Sequence, residues 1–541
     1  MTDRQKFILL NALMMCMLVG ALDHSVMATA VPRILSDLGG FHLLPWFFTT
    51  YLLASTVFVS IVGKLSDMFG RKPFLLAGIA VFSVASIACG MAPSMLALIV
   101  ARAVQGMGGG IIFACVFATL YDMYTPLERM KYVGYFTSIF TVASLMGPLV
   151  GGVLTDGPGW RWAFYINIPV GIVAAVLVQY LMPMTRREAR LADVDFLGAG
   201  LLAGAIVSFM LALVWAGERY GIIAAPTLGL LGLAIALGAG FIAQERRHPE
   251  AILPLFLFRN RQFVHANLII MAVGGGIFSS VQFIPTFVQT ALGEPATLSG
   301  IVVTPQSVLS SIAGVLVGRQ VAKTGLYKRF VVTGAVLMLA GSAPMLLLTT
   351  DSSALPIAVY MSIVGFGIGS VMPVMSTIVQ NSVPQELMGV ASSARQFFMF
   401  TVQVFAVAVL GLLFTTGYAR AFSAAEVDRA ALPAGVYERF LDPTLALDEA
   451  VFAGIRDEVL RQPEGQRILD ATIRAQRESV TAATHLLFGV VTAVAALLVV
   501  LAVTLREVPL RGSFSPADAK DEEREAAGEE PAADVAPVPG A

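Results

Sequence analysis

The sequence predicts an all-α membrane protein with about fourteen transmembrane helices. Three observations support this class: the apolar composition, the length of the apolar runs and the distribution of positive charge between them. Of the 541 residues, 57% are hydrophobic and 13% are charged, whereas a soluble protein carries about 25% charged residues. This deficit of charge excludes an ordinary soluble enzyme, and a net charge of −1 offers no basic surface to nucleic acid.

The apolar runs are long enough to cross a bilayer. A helix that spans the hydrocarbon core needs about 20 mostly apolar residues, and about fourteen such runs follow one another along the chain. Because lipid offers no water to the backbone, each run must satisfy its own hydrogen bonds as a helix. The runs begin near Phe7, His42, Phe74, Met95, Tyr132, Trp162, Phe196, Ile223, Val264, Ser299, Phe330, Pro356, Met388 and Thr481.

Positive charge is concentrated in alternate loops, which predicts the orientation of the chain. Lys and Arg remain on the cytoplasmic side, so both termini are expected in the cytoplasm and the protein in the cytoplasmic membrane. The short loops assigned to the outside hold only Arg33, Arg161 and Arg219. The loops assigned to the cytoplasm hold Lys64, Arg71, Lys72, Arg129, Lys131, Arg186, Arg187, Arg190, Arg246, Arg247, Arg259, Arg261, Arg319, Lys323, Lys328 and Arg329.

Two parts of the sequence resemble each other, which predicts two related six-span halves with two spans inserted between them. The loop Gly63–Lys72 after the second run matches the loop Gly318–Lys328 after the tenth. Duplicated halves are typical of transporters that work by alternating access, with the substrate site near the middle of the membrane. Further matches join Gly106, Gly108 and Gly110 to Gly365, Gly367 and Gly369.

The repeat and the composition divide the chain into six parts. They begin with an N-terminal half at 1–183, two inserted helices and a cytoplasmic linker at 184–262, and the first five helices of the C-terminal half at 263–417. They continue with an external helical cap at 418–480, the last helix at 481–506 and a cytoplasmic tail at 507–541. Apolar residues at helical spacing predict the cap, and the acidic, Ala- and Pro-rich tail is predicted to be disordered.

Two opposite charges interrupt the apolar runs at the same depth. Asp23 and Arg102 each lie about eight residues from the outer end of a run, which corresponds to about 12 Å. An unpaired charge in lipid is costly, and pairing Asp23 with Arg102 would reduce that cost. Burial favours the neutral acid and Arg102 favours the carboxylate, so a change in this balance would move a proton. A purely structural ion pair is the alternative.

The repeat, the span count and the loops together resemble the major facilitator superfamily, and several motifs resemble its fourteen-span drug:proton antiporter family. The resemblance covers the chain from about Phe7 to Arg506, apart from the cap. It implies the major facilitator fold with helices in a 6+2+6 arrangement, and it places the first and fourth spans side by side at a central cavity. On this basis we expect Asp23 and Arg102 to form an ion pair that faces the cavity. Family members use an Arg followed by Gln and Gly, matched here by Arg102, Gln105 and Gly106, in proton coupling.

Two further motifs carry the resemblance. The cytoplasmic loop after the second span fixes the cytoplasmic side in one state in this family, and its acid precedes a helix N-terminus, where a carboxylate is favoured. This gating motif consists of Gly63, Asp67, Gly70, Arg71 and Lys72. The antiporter motif in the fifth span consists of Gly147, Pro148, Gly151 and Gly152; close helix packing is the alternative reading of its small residues.

Two other segments are compared with the family. In the first span, Asp23 agrees with the family pattern, whereas Ala28 stands where the family has Asn and His24 is unusual. The segment Trp160–Gly171, "WRWAFYINIPVG", is family-like and is interpreted as serving the fold rather than the chemistry.

Amides and aromatic rings are the candidates for substrate contact. Such side chains hold bulky organic compounds by stacking and cation–π contact, although most of the aromatic rings also fit a packing role. No carboxylate accompanies those in the tenth and thirteenth spans, so a strong preference for divalent organic cations is not expected. The candidates are Gln105, Gln282, Phe283, Gln306, Arg395, Gln396 and Gln403.

These observations predict a proton-coupled exporter of small organic compounds that acts as a monomer in the lipid bilayer. The three cysteines and five histidines are dispersed, so neither a metal site nor a catalytic set is expected. No nucleotide-binding loop is present, and we expect no cofactor and no enzymatic activity. The alternatives are a proton-coupled uptake carrier of the same fold, a membrane-embedded enzyme, and a channel or structural lipid-binding protein.

Overall fold

A computed structural model describes most of the chain. It covers residues 3–38, 43–124, 150–155, 157–183, 195–218, 224–248, 255–278, 283–384, 387–425, 435–443, 449–462 and 464–508, with a few single residues and short pieces between them. We number the helices of eleven or more residues from α1 to α14. Those before the second half are α1 (Asp3–Leu38), α2 (Leu44–Phe69), α3 (Arg71–Gly90), α4 (Met95–Met123), α5 (Asn167–Leu181), α6 (Phe196–Glu218) and α7 (Ala225–Glu245).

The second half and the outer segment supply the remaining helices. They are α8 (Arg261–Met271), α9 (Ala296–Thr324), α10 (Lys328–Ser342), α11 (Ala354–Asn381), α12 (Met388–Ala424), α13 (Glu449–Leu460) and α14 (Gly465–Thr504). Helix starts follow local rules: the Ser94 hydroxyl accepts a hydrogen bond from the Ala97 amide at the start of α4, and Asn260 does the same for α8. Gly325, with a φ of 67°, ends α9 in the left-handed conformation that glycine tolerates.

The predicted all-α membrane fold is confirmed. Within the described residues, twelve helices are long and apolar enough to cross a membrane. The fifth predicted run, which begins near Tyr132, lies mostly outside the described residues. The count of fourteen therefore stays a prediction.

The ninth predicted run is helical but interrupted. α8 continues as a π-helix at Ala272–Phe278, and a second π-helix follows at Phe287–Ala291. Three consecutive glycines lie in the first π-helix, and glycine weakens a regular α-helix. Gly275 allows this π-helix to pack closely against α12, because a Cβ there would lie 2.0 Å from a methyl carbon of Val402.

The two halves use the same helix crossings. α4 crosses α2 where a Cβ at Gly106 would lie 2.3 Å from the Tyr51 carbonyl oxygen. α11 crosses α9 where a Cβ at Gly365 would lie 2.2 Å from the Gln306 carbonyl oxygen. Glycine is needed at both places because the backbones touch. One turn further along, Gly110 faces the Ser55 carbonyl oxygen and Gly369 faces the Ser310 carbonyl oxygen in the same way.

The halves meet along α2 and α12, and the inserted pair α6–α7 lies beside this contact. One apolar cluster joins Val57 of α2 to Leu202 and Ile206 of α6, with Phe397 of α12 packed against it. The inserted helix α6 therefore touches both halves at once.

The segment 418–480, which is predicted to be external and is called the outer segment, packs around an aromatic cluster. The Tyr418 and Phe422 rings stack with centroids 5.8 Å apart, and the Phe440 ring stacks on Phe422 at 6.1 Å. The Tyr418 hydroxyl donates to the Phe440 carbonyl oxygen at 2.6 Å. Both predicted borders of the cap fall inside continuous helices, α12 and α14, because a fall in hydropathy marks where a helix leaves the membrane rather than where it ends.

A polar cluster joins the end of α14 to the loop before α10. The buried Tyr327 hydroxyl accepts from the Val508 amide at 2.7 Å and from Gln262 Nε2 at 3.2 Å. A Glu507 carboxylate oxygen accepts from the backbone amides of Tyr327 and Lys328 at 2.7 and 3.1 Å. Glu507 thus supplies the acceptor that the N-terminus of α10 requires.

Candidate functional site

The structure brings Asp23 and Arg102 together inside the N-terminal half. Asp23 lies on α1 and is 1% exposed, and Arg102 lies on α4 and is fully buried. Arg102 Nη1 donates to Asp23 Oδ2 in a direct ion pair. Because both charges are removed from solvent, each depends on the other for its neutralisation.

Two amides complete the surroundings of the Asp23 carboxylate. Gln105 Nε2 and Asn167 Nδ2 both donate to Asp23 Oδ1, each at 2.9 Å. Gln105 Oε1 accepts from Arg102 Nη1 at 2.8 Å, and Gln105 Nε2 also donates to Ser86 Oγ at 2.8 Å. We call these five residues the carboxylate cluster: Asp23, Ser86, Arg102, Gln105 and Asn167. It joins α1, α3, α4 and the start of α5.

Aromatic rings enclose the guanidinium group of Arg102. Its central carbon lies 4.8 Å from the Phe47 ring centroid, 4.5 Å from that of Tyr51 and 5.9 Å from that of Phe164. Rings at these distances stabilise a cation through their π-faces. Arg102 Nε and the Tyr51 hydroxyl have no hydrogen-bond partner within the described part of the chain. In this conformation both charges of the ion pair are buried within the N-terminal half.

The gating motif connects the two halves. The Asp67 carboxylate pairs with Arg71 at 2.9 Å, and its second oxygen accepts from the Val390 amide at 3.0 Å, at the N-terminus of α12. Arg71 also pairs with Asp122 of α4. A carboxylate at a helix N-terminus is favoured by the helix dipole, so this contact holds α2 against α12.

The other residues of the gating motif lie at the turn or in the helices beside it: Gly70 forms the turn, Gly63 lies within α2, and Lys72 lies in the first turn of α3. Gly70 adopts a φ of 92° between α2 and α3, a conformation open to glycine and strained for other residues. The Gly63 carbonyl oxygen accepts from the Ser66 hydroxyl at 3.0 Å. Lys72 Nζ donates to the Gln179 carbonyl oxygen at 2.6 Å, which ties the turn to α5.

The antiporter motif is described in part. A Cβ at Gly147 would lie 2.2 Å from Cβ of Ser25, so this glycine lets the fifth predicted span approach α1 two residues from Asp23. Gly151 is buried, and Gly152 has open space beside it. Pro148 and the side chain of His24 lie outside the described residues.

The candidate substrate residues do not lie together in one place. Gln105 belongs to the carboxylate cluster, and Gln306 is buried at the crossing of α9 and α11. Arg395 lies at the contact between the halves, where it bonds Gln396 at 2.9 Å and stacks 5.0 Å from the Phe117 ring centroid of α4. The Phe283 ring packs against Phe414 with centroids 5.6 Å apart, Gln403 is half-buried on α12, and Gln282 lies outside the described residues.

Comparison with known proteins assigns the family. The sequence model described as "Major Facilitator Superfamily" matches residues 13–407, which is well over half of the chain. The chain belongs to the major facilitator superfamily. Like other members of this superfamily, it is a membrane transporter, as the predicted resemblance implied.

Relatives within the superfamily carry transporter names. "Multidrug transporter protein MdtP" of Bacillus subtilis (strain 168) is 36% identical over 407 residues, which cover 75% of each chain. "Multidrug resistance protein 3" of the same organism is 31% identical over 471 residues, covering 86% of this chain and 90% of the relative.

Solved structures of the superfamily share the fold. The human organic anion transporter MFSD10 (TETRAN) aligns with a TM-score of 0.56 and 11% identity, over 91% of this chain and 100% of the other. The proton:xylose symporter XylE aligns with a TM-score of 0.56 and 14% identity, over 94% and 97%. At these identities, the alignments establish the major facilitator fold alone.

Sequence reasoning missed several residues of the site. Asn167 and Ser86 belong to the carboxylate cluster, and the Tyr51 ring lies over the Arg102 guanidinium group, yet none of the three is a candidate from the sequence. A signal for Asn167 was present, since an amide inside an apolar run is rare without a partner. Tyr51 gave no such signal, because an aromatic ring in an apolar run is ordinary. No group of three or more metal-binding side chains occurs within the described residues.

Proposed function

We propose that the protein is a proton-coupled exporter of small organic compounds that exchanges an inward proton for an outward substrate. The observation that carries this proposal is the buried Asp23–Arg102 pair. Asp23 is the only Asp or Glu within the apolar runs predicted from the sequence. An ionisable residue at membrane depth indicates a functional site by default, and proton relays are among its common roles.

Protonation of Asp23 would disturb the whole cluster. A neutral acid no longer compensates the charge of Arg102, and an uncompensated buried cation is strongly unfavourable. Arg102 would then have to move towards water or another acceptor, which requires α1 and α4 to separate. This link between proton uptake and helix movement is what alternating access requires.

The relatives support the outward direction of transport. Both Bacillus subtilis proteins are named for multidrug transport or resistance. The close approach of Gly147 to Ser25, two residues from Asp23, supports a link between the antiporter motif and proton coupling. We therefore favour export over uptake by a carrier of the same fold.

We place substrate binding at the contact between the halves. Arg395 and Gln396 lie there on α12, opposite Phe117 of α4. An aromatic ring beside polar groups suits compounds that are apolar with a polar end. Phe283, Gln306 and Gln403, with Gln282, are proposed as further contacts.

The Asp23→Asn variant tests proton coupling. We expect inside-out vesicles that contain it to lose pH-driven accumulation of a fluorescent organic probe while retaining exchange of that probe at zero pH gradient. Asp37→Asn is the matched control, since it removes a partly exposed carboxylate from the same helix. Wild-type pH-driven transport by Asp23→Asn at equal protein level would refute the proposal, and accumulation in right-side-out cells would favour the uptake carrier.

A further inference from the structure

The side chain of Asn167 makes a hydrogen bond to a different helix, α1, rather than within its own helix. It is the first residue of α5 and is 2% exposed. Its side-chain amide turns away from its own helix and donates to Asp23 Oδ1 at 2.9 Å. The same nitrogen lies 3.5 Å from Ser86 Oγ of α3. One amide group thus connects three helices at the carboxylate.

The segment before Asn167 touches the other partner of the ion pair. The short helix Trp162–Tyr165 ends two residues before Asn167, and its Phe164 ring lies 5.9 Å from the Arg102 guanidinium carbon. Phe164 also packs edge-on against Trp160 at 6.2 Å. Any movement at the start of α5 therefore changes the surroundings of both Asp23 and Arg102.

We propose that Asn167 is a positioning residue that sets the pH at which Asp23 takes up its proton and transmits that event to α5. The proposal rests on the proposed function, in which Asp23 is the proton acceptor. Asn167 contributes a directed hydrogen bond without a charge, whereas Arg102 contributes the charge.

The chemistry of the charged and the protonated carboxyl group shows which way the Asn167 hydrogen bond would shift. A carboxylate has acceptor sites only, and a hydrogen bond to the charged form favours that form. Once protonated, the acid becomes a donor itself and its remaining acceptor capacity is weaker. Asn167 Nδ2 then has an alternative acceptor in Ser86 Oγ, which it reaches by a small displacement. Transfer of this hydrogen bond from α1 to α3 would move the start of α5.

Few other titratable groups face Asp23 from the helices packed around it. Among the described residues they are Arg102 of α4, Tyr51 of α2 and Cys89 of α3, whose Sγ lies 3.6 Å from Gln105 Oε1. Gln105 and Asn167 are therefore the neutral donors that tune the carboxylate. Gln105 also accepts a hydrogen bond from Arg102 at 2.8 Å, so changing Gln105 would disturb the cation as well, and Asn167 is the cleaner position to change.

Infrared difference spectroscopy of the purified protein tests this without a known substrate. The carbonyl band of a protonated carboxylic acid grows as pH falls, and its loss in Asp23→Asn assigns the band. In Asn167→Ala we expect the midpoint of this band to move up by about one pH unit, because one hydrogen bond to the charged form is lost. In Asn167→Asp we expect a larger upward move, because a like charge is added.

Controls separate this effect from general damage. Asn267→Ala removes a buried amide from the second half, where Asn267 donates to the Phe263 carbonyl oxygen at 2.9 Å, and should leave the midpoint unchanged. If Asp23→Asn abolishes the band but both Asn167 variants titrate like wild type, the positioning role is overturned and proton uptake by Asp23 stands. If Asp23→Asn leaves every titrating band in place, the proposed function and this inference both fail. Folding of each variant is checked by thermal unfolding in detergent.

Discussion

At the scale of single residues, the carboxylate cluster shows how a charge is kept in an apolar interior. Asp23 accepts hydrogen bonds from Arg102, Gln105 and Asn167, and rings cover the guanidinium group. A buried pair of this kind contributes little net stability, but removing one partner costs about 3–5 kcal/mol. Its arrangement therefore favours a role in the transport cycle over a role in holding the fold.

Tyr327, which lies between two membrane-spanning helices, is a second single residue whose surroundings have a measurable effect, here on stability at alkaline pH. Burial raises the pKa of Tyr327 above its ordinary value, and the nearby Glu507 carboxylate acts in the same direction against the Val508 amide. The unfolded chain loses this proton at about pH 10, before the folded protein does. The contribution of neutral Tyr327 to stability is therefore complete below that pH and is lost as pH rises through the folded-state pKa.

We predict that Tyr327→Phe weakens the fall of thermal stability in alkaline buffer. The measurement is the unfolding temperature across a series of pH values above neutrality, for wild type and variant. Tyr180→Phe is the control, because Tyr180 is 84% exposed and makes no comparable contact. If the unfolding temperature falls equally with rising pH in Tyr327→Phe and wild type, Tyr327 loses its proton alike in the folded and unfolded chains.

At the scale of helices, the glycine crossings are the most sensitive contacts. Gly106 of α4 faces a backbone carbonyl oxygen of α2, and Gly365 of α11 faces one of α9, rather than a flexible side chain. Added methyl groups there cannot be accommodated by a rotamer change, so the helices must separate. Overpacking of this kind costs about 1–3 kcal/mol.

We predict that Gly106→Ala and Gly365→Ala each lower the unfolding temperature by several degrees, as that cost implies. Gly229→Ala in α7 is the matched control, since a Cβ there meets nothing within 4 Å. This control should be neutral or slightly stabilising, because alanine is the better helix former. Equal stability of all three variants would mean that the crossings are looser than the structure indicates.

The helices also show what the sequence predicts and what it does not. The matched depths of Asp23 and Arg102 supported the prediction that these residues pair, because distance along a helix converts directly into depth. The π-helices around Gly275 escaped prediction, since periodicity does not distinguish a bulge from a regular turn. The role of Asn167 escaped as well, because its partner lies 144 positions away and is set by packing.

At the scale of the whole molecule, contacts between the halves define the conformation. Asp67 accepts from the Val390 amide on one side of α12, and Arg395 stacks on Phe117 five residues further along that helix. Both contacts join the second half to the first near the loops predicted to be cytoplasmic. The carboxylate cluster lies elsewhere, inside the first half. The proposed proton uptake and closure at these contacts would therefore be separate events that helix movement links.

We predict that Asp67→Asn accelerates hydrogen exchange at the N-terminus of α12, because a neutral amide is a weaker acceptor for the Val390 amide and loses the pair with Arg71. Exchange is followed by mass spectrometry on peptides from this region and from α3. Asp470→Asn, at an exposed position of α14, serves as the control and should leave both peptides unchanged. Unaltered exchange in Asp67→Asn would show that other contacts alone keep the halves together there.

The length of α14 has a practical consequence. Its 40 residues form one helix of about 60 Å, roughly twice the thickness of the bilayer hydrocarbon core. The part beyond the bilayer would be a rigid extension of the second half, and the aromatic cluster of segment 418–480 would move with it. If that segment is external, as the charge distribution of the loops predicts, an antibody fragment raised against it would give a fixed external marker of the second half, suitable for following its rotation in single molecules and for arresting the transport cycle.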